Sequence, residues 1–125
     1  MLNAHPEMVA PPECGFIQWN HHVFKAADFK DPNERKAFAR AVLESKKMET
    51  WGLDLKLLIN VFDRITEPTY QLLCEAVLQA YHHHKGATSK ASTLIDKNNY
   101  YLDFLPEIHQ AMPHAKYLHL VRDVR

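Results

Sequence analysis

Three charged side chains follow stretches that read as extended or buried: Glu13 after Pro11-Pro12, Lys97 after Thr93-Leu94-Ile95, and Arg122 after Lys116-Tyr117-Leu118-His119-Leu120-Val121. Each could do chemistry. A carboxylate serves as a general base where burial or a like charge raises its pKa. An ammonium at the C-terminal end of a strand stands where α/β folds place their ligands. A guanidinium fork grips phosphate oxygens bidentately. Each also has a plain alternative: a surface glutamate in a proline-rich turn, a solvated loop lysine, and an arginine paired with Asp123.

His82-His83-His84 invites a metal reading, with His21-His22 as further donors. Consecutive residues on a helix point in different directions, so three in a row cannot all reach one ion. No metal site is expected. Cys14 and Cys74 could pair, but two thiols make no disulfide framework, and two reduced thiols are the simpler reading.

The elements that must carry these residues fit within 125 residues, one domain or part of a larger one. Apolar residues make up 46%, enough for a packed core. Lys+Arg and Asp+Glu are both 15, so the formal charge is zero, which argues against a nucleic-acid surface. No apolar run is long enough for a transmembrane helix, and no signal peptide follows Met1, so a cytoplasmic location away from membranes is expected.

Residues 1–5 read as the tail of a helix stopped by Pro6, and Phe16, Ile17 and Trp19 as a short strand or packed loop. Asp31-Pro32-Asn33-Glu34 carries a capping box and opens a helix with Phe38, Ala41, Val42 and Ser45 on one face. A second helix is predicted from near Asp54, with Leu55, Leu58, Ile59 and Phe62 at helical spacing. A third is predicted from near Thr66 to Gly86, with the stripe Tyr70, Leu73, Cys74, Val77, Leu78 and Tyr81. Thr93-Leu94-Ile95 reads as a short buried strand, and residues 102–112 as a helix with Pro106 in its first turn and Pro113 closing it. The run Lys116–Val121 is predicted as a strand covered on both faces. Strand, helix, strand is the parallel βαβ unit of an α/β fold.

Three segments resemble one family, the sulfotransferases that use 3′-phosphoadenosine-5′-phosphosulfate, in particular the tyrosylprotein and bacterial types. Met1-Leu2-Asn3-Ala4-His5-Pro6-Glu7, with Pro11-Pro12-Glu13 beyond it, is similar to the family's Met-Leu-x-Ala-His-Pro-Glu helix end and the acidic residue after it. Asp96-Lys97-Asn98 is similar to its Lys-Asn-Pro or Lys-Asp-Pro strand end. Met112-Pro113-His114-Ala115-Lys116-Tyr117-Leu118-His119-Leu120-Val121-Arg122-Asp123 resembles Phe-Pro-x-Ala-Lys-x-Ile-x-x-x-Arg-Asp-Pro. The matches stand in the family's order and cover about a third of the chain.

The resemblance implies an α/β fold, a partial P-loop-type (Rossmann-like) parallel sheet with a helical middle segment. It implies a sulfotransferase fragment spanning residues 1–125, whose donor is 3′-phosphoadenosine-5′-phosphosulfate and whose acceptor is an unidentified hydroxyl or amine, with no metal. Glu13 corresponds to the glutamate that takes the acceptor's proton, Lys97 to a lysine that stabilises the bridging or transferred oxygens, and Arg122 to the arginine on the donor's 3′-phosphate. His5 falls in the family stretch, as a helix-end packing or capping residue. Trp51 and Tyr100 either line an acceptor pocket or pack, packing being the simpler reading.

The departures are specific. The glycine-rich phosphate loop expected just before Met1 is not in the sequence, Val124 replaces the proline after Arg-Asp, Asn99 stands near the Lys-x-Pro proline, and the serine partner of the 3′-phosphate is not reached. The 125-residue chain is therefore expected to be inactive or nearly so, with strand edges that invite self-association into a homo-oligomer. Two other readings compete: a non-catalytic remnant acting as a helical protein-interaction module, and a P-loop-type small-molecule kinase, which would need an Mg²⁺ site that no carboxylate is placed to form.

Overall fold

Side-chain caps set where the helices begin. Asp31 accepts from the Asn33 amide at 2.8 Å and Pro32 supplies the first turn, so α1 (Phe16–Phe24) is followed by α2 (Pro32–Glu44). Asp54 accepts from the Leu57 amide at 2.8 Å and opens α3 (Leu55–Asp63). Thr69, three residues later than predicted, accepts from the Leu72 amide and opens α4 (Tyr70–His84). All six residues of the predicted α4 stripe are buried. The helix stops at a turn in which Gly86 takes φ 96°, a backbone conformation that favours glycine. The computed structural model describes residues 5–123; the helix tail predicted at the start falls mainly on residues outside that range.

The short strands β1 (Met8–Val9) and β2 (Thr93–Leu94) pair in parallel, Met8 opposite Thr93 and Val9 opposite Leu94. Parallel pairing needs a long crossover, and α1 to α4 provide it. The pairing runs on at both ends: Ser92 and Thr93 amides donate to the Glu7 carbonyl, and the Ile95 amide donates to the Val9 carbonyl at 2.9 Å. A 3₁₀ segment (Asn99–Phe104) then leads into α5 (Leu105–Ala111), which packs against α1.

The core forms where α1 to α4 meet. Phe38 is its centre, with ring centroids 5.2 Å from Phe24, 5.6 Å from Phe29, 5.8 Å from Phe62 and 5.3 Å from Tyr70. The Tyr70 hydroxyl donates to the Ile17 carbonyl at 2.6 Å, tying α4 to α1, and burial pushes its pKa up. On the rim of α2 and α3, Arg35 forms an ion pair with Asp63 at 2.9 Å. Among the described residues, no helix is long and apolar enough to cross a membrane.

Three expectations change. The strand expected to be buried at Thr93-Leu94-Ile95 forms over Thr93–Leu94 at the surface, with Thr93 exposed and Leu94 half-buried. The segment at Phe16, Ile17 and Trp19 is helical, not a strand or loop, because Phe16, Ile17, Asn20, His21 and Phe24 bury one helical face. Asn20 completes it by donating to the Phe16 carbonyl and to Ser45 Oγ. The run Lys116–Val121 is not a strand. Leu118 is 86% exposed, Leu120 80% and Val121 81%. A strand is held by its ladder, and the sheet among the described residues has only β1 and β2. Among the described residues the result is a mixed helical α/β chain with one small parallel sheet, and the predicted strand–helix–strand unit lacks its second strand.

Candidate active site at the ends of the parallel strands

Because β1 and β2 run the same way, the residues leaving their C-terminal ends emerge together. From β1 comes Ala10-Pro11-Pro12-Glu13, and from β2 comes Ile95-Asp96-Lys97. This is the edge at which open α/β sheets bind ligands. Glu13 and Lys97, 84 positions apart in sequence, thus follow the same end of one sheet, four residues beyond β1 and three beyond β2.

Trp51 fixes the Glu13 turn. Its indole Nε1–H donates to the Pro12 carbonyl at 3.0 Å, and its ring is fully buried between Phe16 (5.8 Å, edge-on) and Tyr81 (5.2 Å). Packing was therefore the correct alternative for Trp51. On the other side of Glu13, the Cys14 thiol donates to the Lys46 carbonyl at 3.3 Å, and burial pushes that thiol up to about 11. Cys14 and Cys74 are both buried, free thiols.

The turn between α2 and α3 supplies a residue that sequence reading missed. Lys47 takes the left-handed conformation, φ 73°, held by Thr50 Oγ1 donating to its carbonyl at 2.7 Å. This points Lys47 Nζ towards Glu13 Oε2, 4.0 Å away. Glu13 is half-buried and Lys47 more open, so the pair contributes little stability and leaves the carboxylate reachable. Gly52, at φ 72°, closes the same turn, and a Cβ there would strike His84 Nε2 at 2.7 Å.

Asp96 and Tyr101 were also missed. The Tyr101 hydroxyl donates to Asp96 Oδ2. Burial raises the Asp96 carboxyl to about 6, the Tyr101 bond pulls it down, and the nearby charge of Glu13 adds to the rise. Asp96 also lies within electrostatic reach of Cys14 and Cys74. Burial and the Asp96 charge push the Tyr101 phenol up. Lys97 is exposed and forms no ion pair among the described residues.

Arg122 is not brought to this site. It is exposed, on the segment that forms no strand, and no hydrogen bond or ion pair links it to Glu13 or Lys97 among the described residues. Of the three sequence-predicted site residues, Glu13 and Lys97 therefore follow the same end of the sheet and Arg122 lies apart from it, on a run that forms no strand among the described residues. Tyr100 is half exposed, and His5 is exposed with its Nδ1 accepting from the Glu7 amide. Of the histidine run, His82 is buried, while His83 and His84 are exposed. No group of three His, Cys, Asp or Glu side chains converges to hold a metal among the described residues.

The Asp96 carboxyl makes a prediction about pH. Below its ordinary value of 3.8 it is neutral in both folded and unfolded chains. Between 3.8 and about 6 the unfolded chain ionises first, so stability falls as pH rises through that window. The loss is on the order of 2–3 kcal/mol by pH 7. Asp96→Asn keeps an acceptor for Tyr101 and removes the titration. Urea melts between pH 4 and 7 are expected to show this variant gaining on the parent as pH rises; a constant difference would show that Asp96 titrates normally.

No curated protein and no solved structure gives a match to this chain. A family model described as "Sulfotransferase family", a family of sulfonate transferases, matches residues 1–125, the whole chain. Matched over its full length, the chain belongs to the sulfotransferase family.

Proposed function

We propose that these residues form the acceptor-side half of an enzyme site that transfers a sulfonate group from 3′-phosphoadenosine-5′-phosphosulfate to a hydroxyl or amine. The observation that supports this reading is the parallel β1–β2 pairing, whose C-terminal ends lead into the segments that carry Glu13 and Lys97. In the transfer, a bond forms between the acceptor oxygen or nitrogen and sulfur. The sulfur–oxygen bond to the donor's phosphate breaks, and adenosine 3′,5′-bisphosphate leaves. Glu13 takes the acceptor's proton. Lys97 stabilises charge on the bridging and transferred oxygens, where a fixed cation acts most on the transition state. The transition state is treated as loose and in-line, by analogy with phosphoryl transfer.

Arg122 is the proposed contact to the donor's 3′-phosphate. Its exposed place on an unpaired run supports the further proposal that the 125-residue chain by itself binds donor poorly and turns over little. A P-loop-type sheet, with the phosphate loop and a neighbouring strand beside Lys116–Val121, is the arrangement this reading requires of a complete site. Calorimetric titration with adenosine 3′,5′-bisphosphate tests it, using the product of the complete reading frame that encodes these residues. Binding is expected, weakened about 10- to 100-fold by Arg122→Ala, the loss of one charge-assisted bidentate contact. A folded product with no nucleotide affinity would favour the non-catalytic interaction module instead.

A further inference from the structure

The stretch from Asp96 to Tyr101 is stitched to itself on both sides of Lys97. The Tyr101 hydroxyl reaches back to Asp96 Oδ2. Asn98 Oδ1 accepts from the Tyr100 amide at 3.1 Å, and the Asn98 carbonyl accepts from the Tyr101 amide. Lys97 is left exposed between these closures while Asp96, Asn98 and Tyr101 are half-buried. Where β2 ends, the backbone has no ladder to hold it, and these bonds replace the ladder. Lysine has a long flexible side chain, so the direction of its first bonds is set by the backbone that carries it.

Resting on the transfer reading above, we infer that Asp96 and Tyr101 form a positioning pair that fixes the turn carrying Lys97, so that the ammonium meets the transferred sulfonate at the strand end. Neither residue touches the reacting atoms; each acts through the turn. Positioning errors of about 1 Å cost roughly 100-fold in a transfer step, so an unlatched turn is expected to slow the chemistry more than it weakens the fold. Around Asp96 stand Glu13 and Cys14 from the turn after β1, Cys74 from α4, and Tyr101 from its own segment.

Two readouts test the pair. In the product of the complete reading frame, Tyr101→Phe and Asp96→Ala are expected to lower kcat about 10- to 100-fold with little change in the donor's KM. Asp96→Asn, which keeps the acceptor for Tyr101, is expected to restore kcat to within about threefold, as a conservative replacement of a positioning group should. Independently of activity, hydrogen exchange on the 125-residue chain is expected to show the Tyr100 and Tyr101 amides exchanging about 5- to 10-fold faster in Tyr101→Phe, the effect of one lost hydrogen bond on local opening. If the amides loosen but even the parent transfers no sulfonate, the turn is latched as inferred and the transfer reading fails. If the amides are unchanged, or if kcat survives in both Tyr101→Phe and Asp96→Ala while the parent is active, the positioning role is overturned.

Discussion

Trp51→Ala is expected to destabilise the chain by about 3–5 kcal/mol, the usual cost of deleting a fully buried tryptophan. The side chain is 0% exposed and lies between Phe16 of α1 and Tyr81 of α4, so the cavity would open where two helices meet. A second cost of about 1 kcal/mol or more comes from the Pro12 carbonyl, which loses the indole donor. Domains are stable by only about 5–15 kcal/mol, so much of the margin disappears. Trp51→Phe separates the two terms, since it keeps a ring and removes the N–H. It is expected to cost about half as much or less. Urea unfolding followed by circular dichroism measures both, with Trp19 remaining as a fluorescence reporter. If Trp51→Ala cost under about 1 kcal/mol, the pocket would have to collapse freely, and Trp51 would not be the anchor of the Glu13 turn.

Glu13→Gln and Lys97→Ala are each expected to lower the rate of sulfonate transfer by about 100- to 1000-fold in the product of the complete reading frame. The reasons differ. Gln keeps the shape of Glu13 and cannot accept the acceptor's proton. Ala at position 97 removes the cation from the transferred oxygens and leaves the Asp96–Tyr101 latch intact. Neither change touches the core, because Lys97 is exposed and half-buried Glu13 forms a weak ion pair with Lys47 at its rim. Melting temperatures close to the parent's are therefore expected alongside the loss of rate. Lys47→Ala is the informative contrast, with a rate expected within about tenfold of the parent, since its long, partly exposed pair at 4.0 Å is worth little. A parent-like rate in Glu13→Gln would remove Glu13 from the mechanism.

Much of the helical middle was legible because its signals are local. Asp31 with Pro32, and Asp54 before Leu55, state where α2 and α3 begin, and the α4 stripe states which face is buried. Helix α1 was harder to read because polar residues complete its buried face. Asn20 and His21 are buried there, Asn20 satisfied by a backbone carbonyl and a serine, and sequence pattern counts such residues as exposed. The strand predicted at Lys116–Val121 failed for a nonlocal reason: β-branched and apolar residues suit a strand, but only a neighbouring strand makes one.

The candidate site was half visible. Glu13 and Lys97 were picked out by family resemblance, while the shared strand end that both follow depends on β1, a two-residue strand too short for any period to reveal. The apolar pair Met8-Val9 between Glu7 and Pro11 was the faint signal. Lys47 reaches Glu13 through a left-handed turn at a residue that is not glycine, which composition does not announce. Asp96 and Tyr101 meet across five positions through a 3₁₀ segment, a spacing that neither helix nor strand periodicity flags.

The most direct test is transfer itself. The product of the complete reading frame is incubated with 3′-phosphoadenosine-5′-phosphosulfate carrying a radiolabelled sulfonate and a panel of hydroxyl and amine acceptors. The expected result is label on an acceptor and release of adenosine 3′,5′-bisphosphate, with little or no transfer by the 125-residue chain alone. A folded, nucleotide-binding product that labels no acceptor would contradict the transfer reading, and robust turnover by the 125-residue chain would contradict the claim that it holds only half of the site.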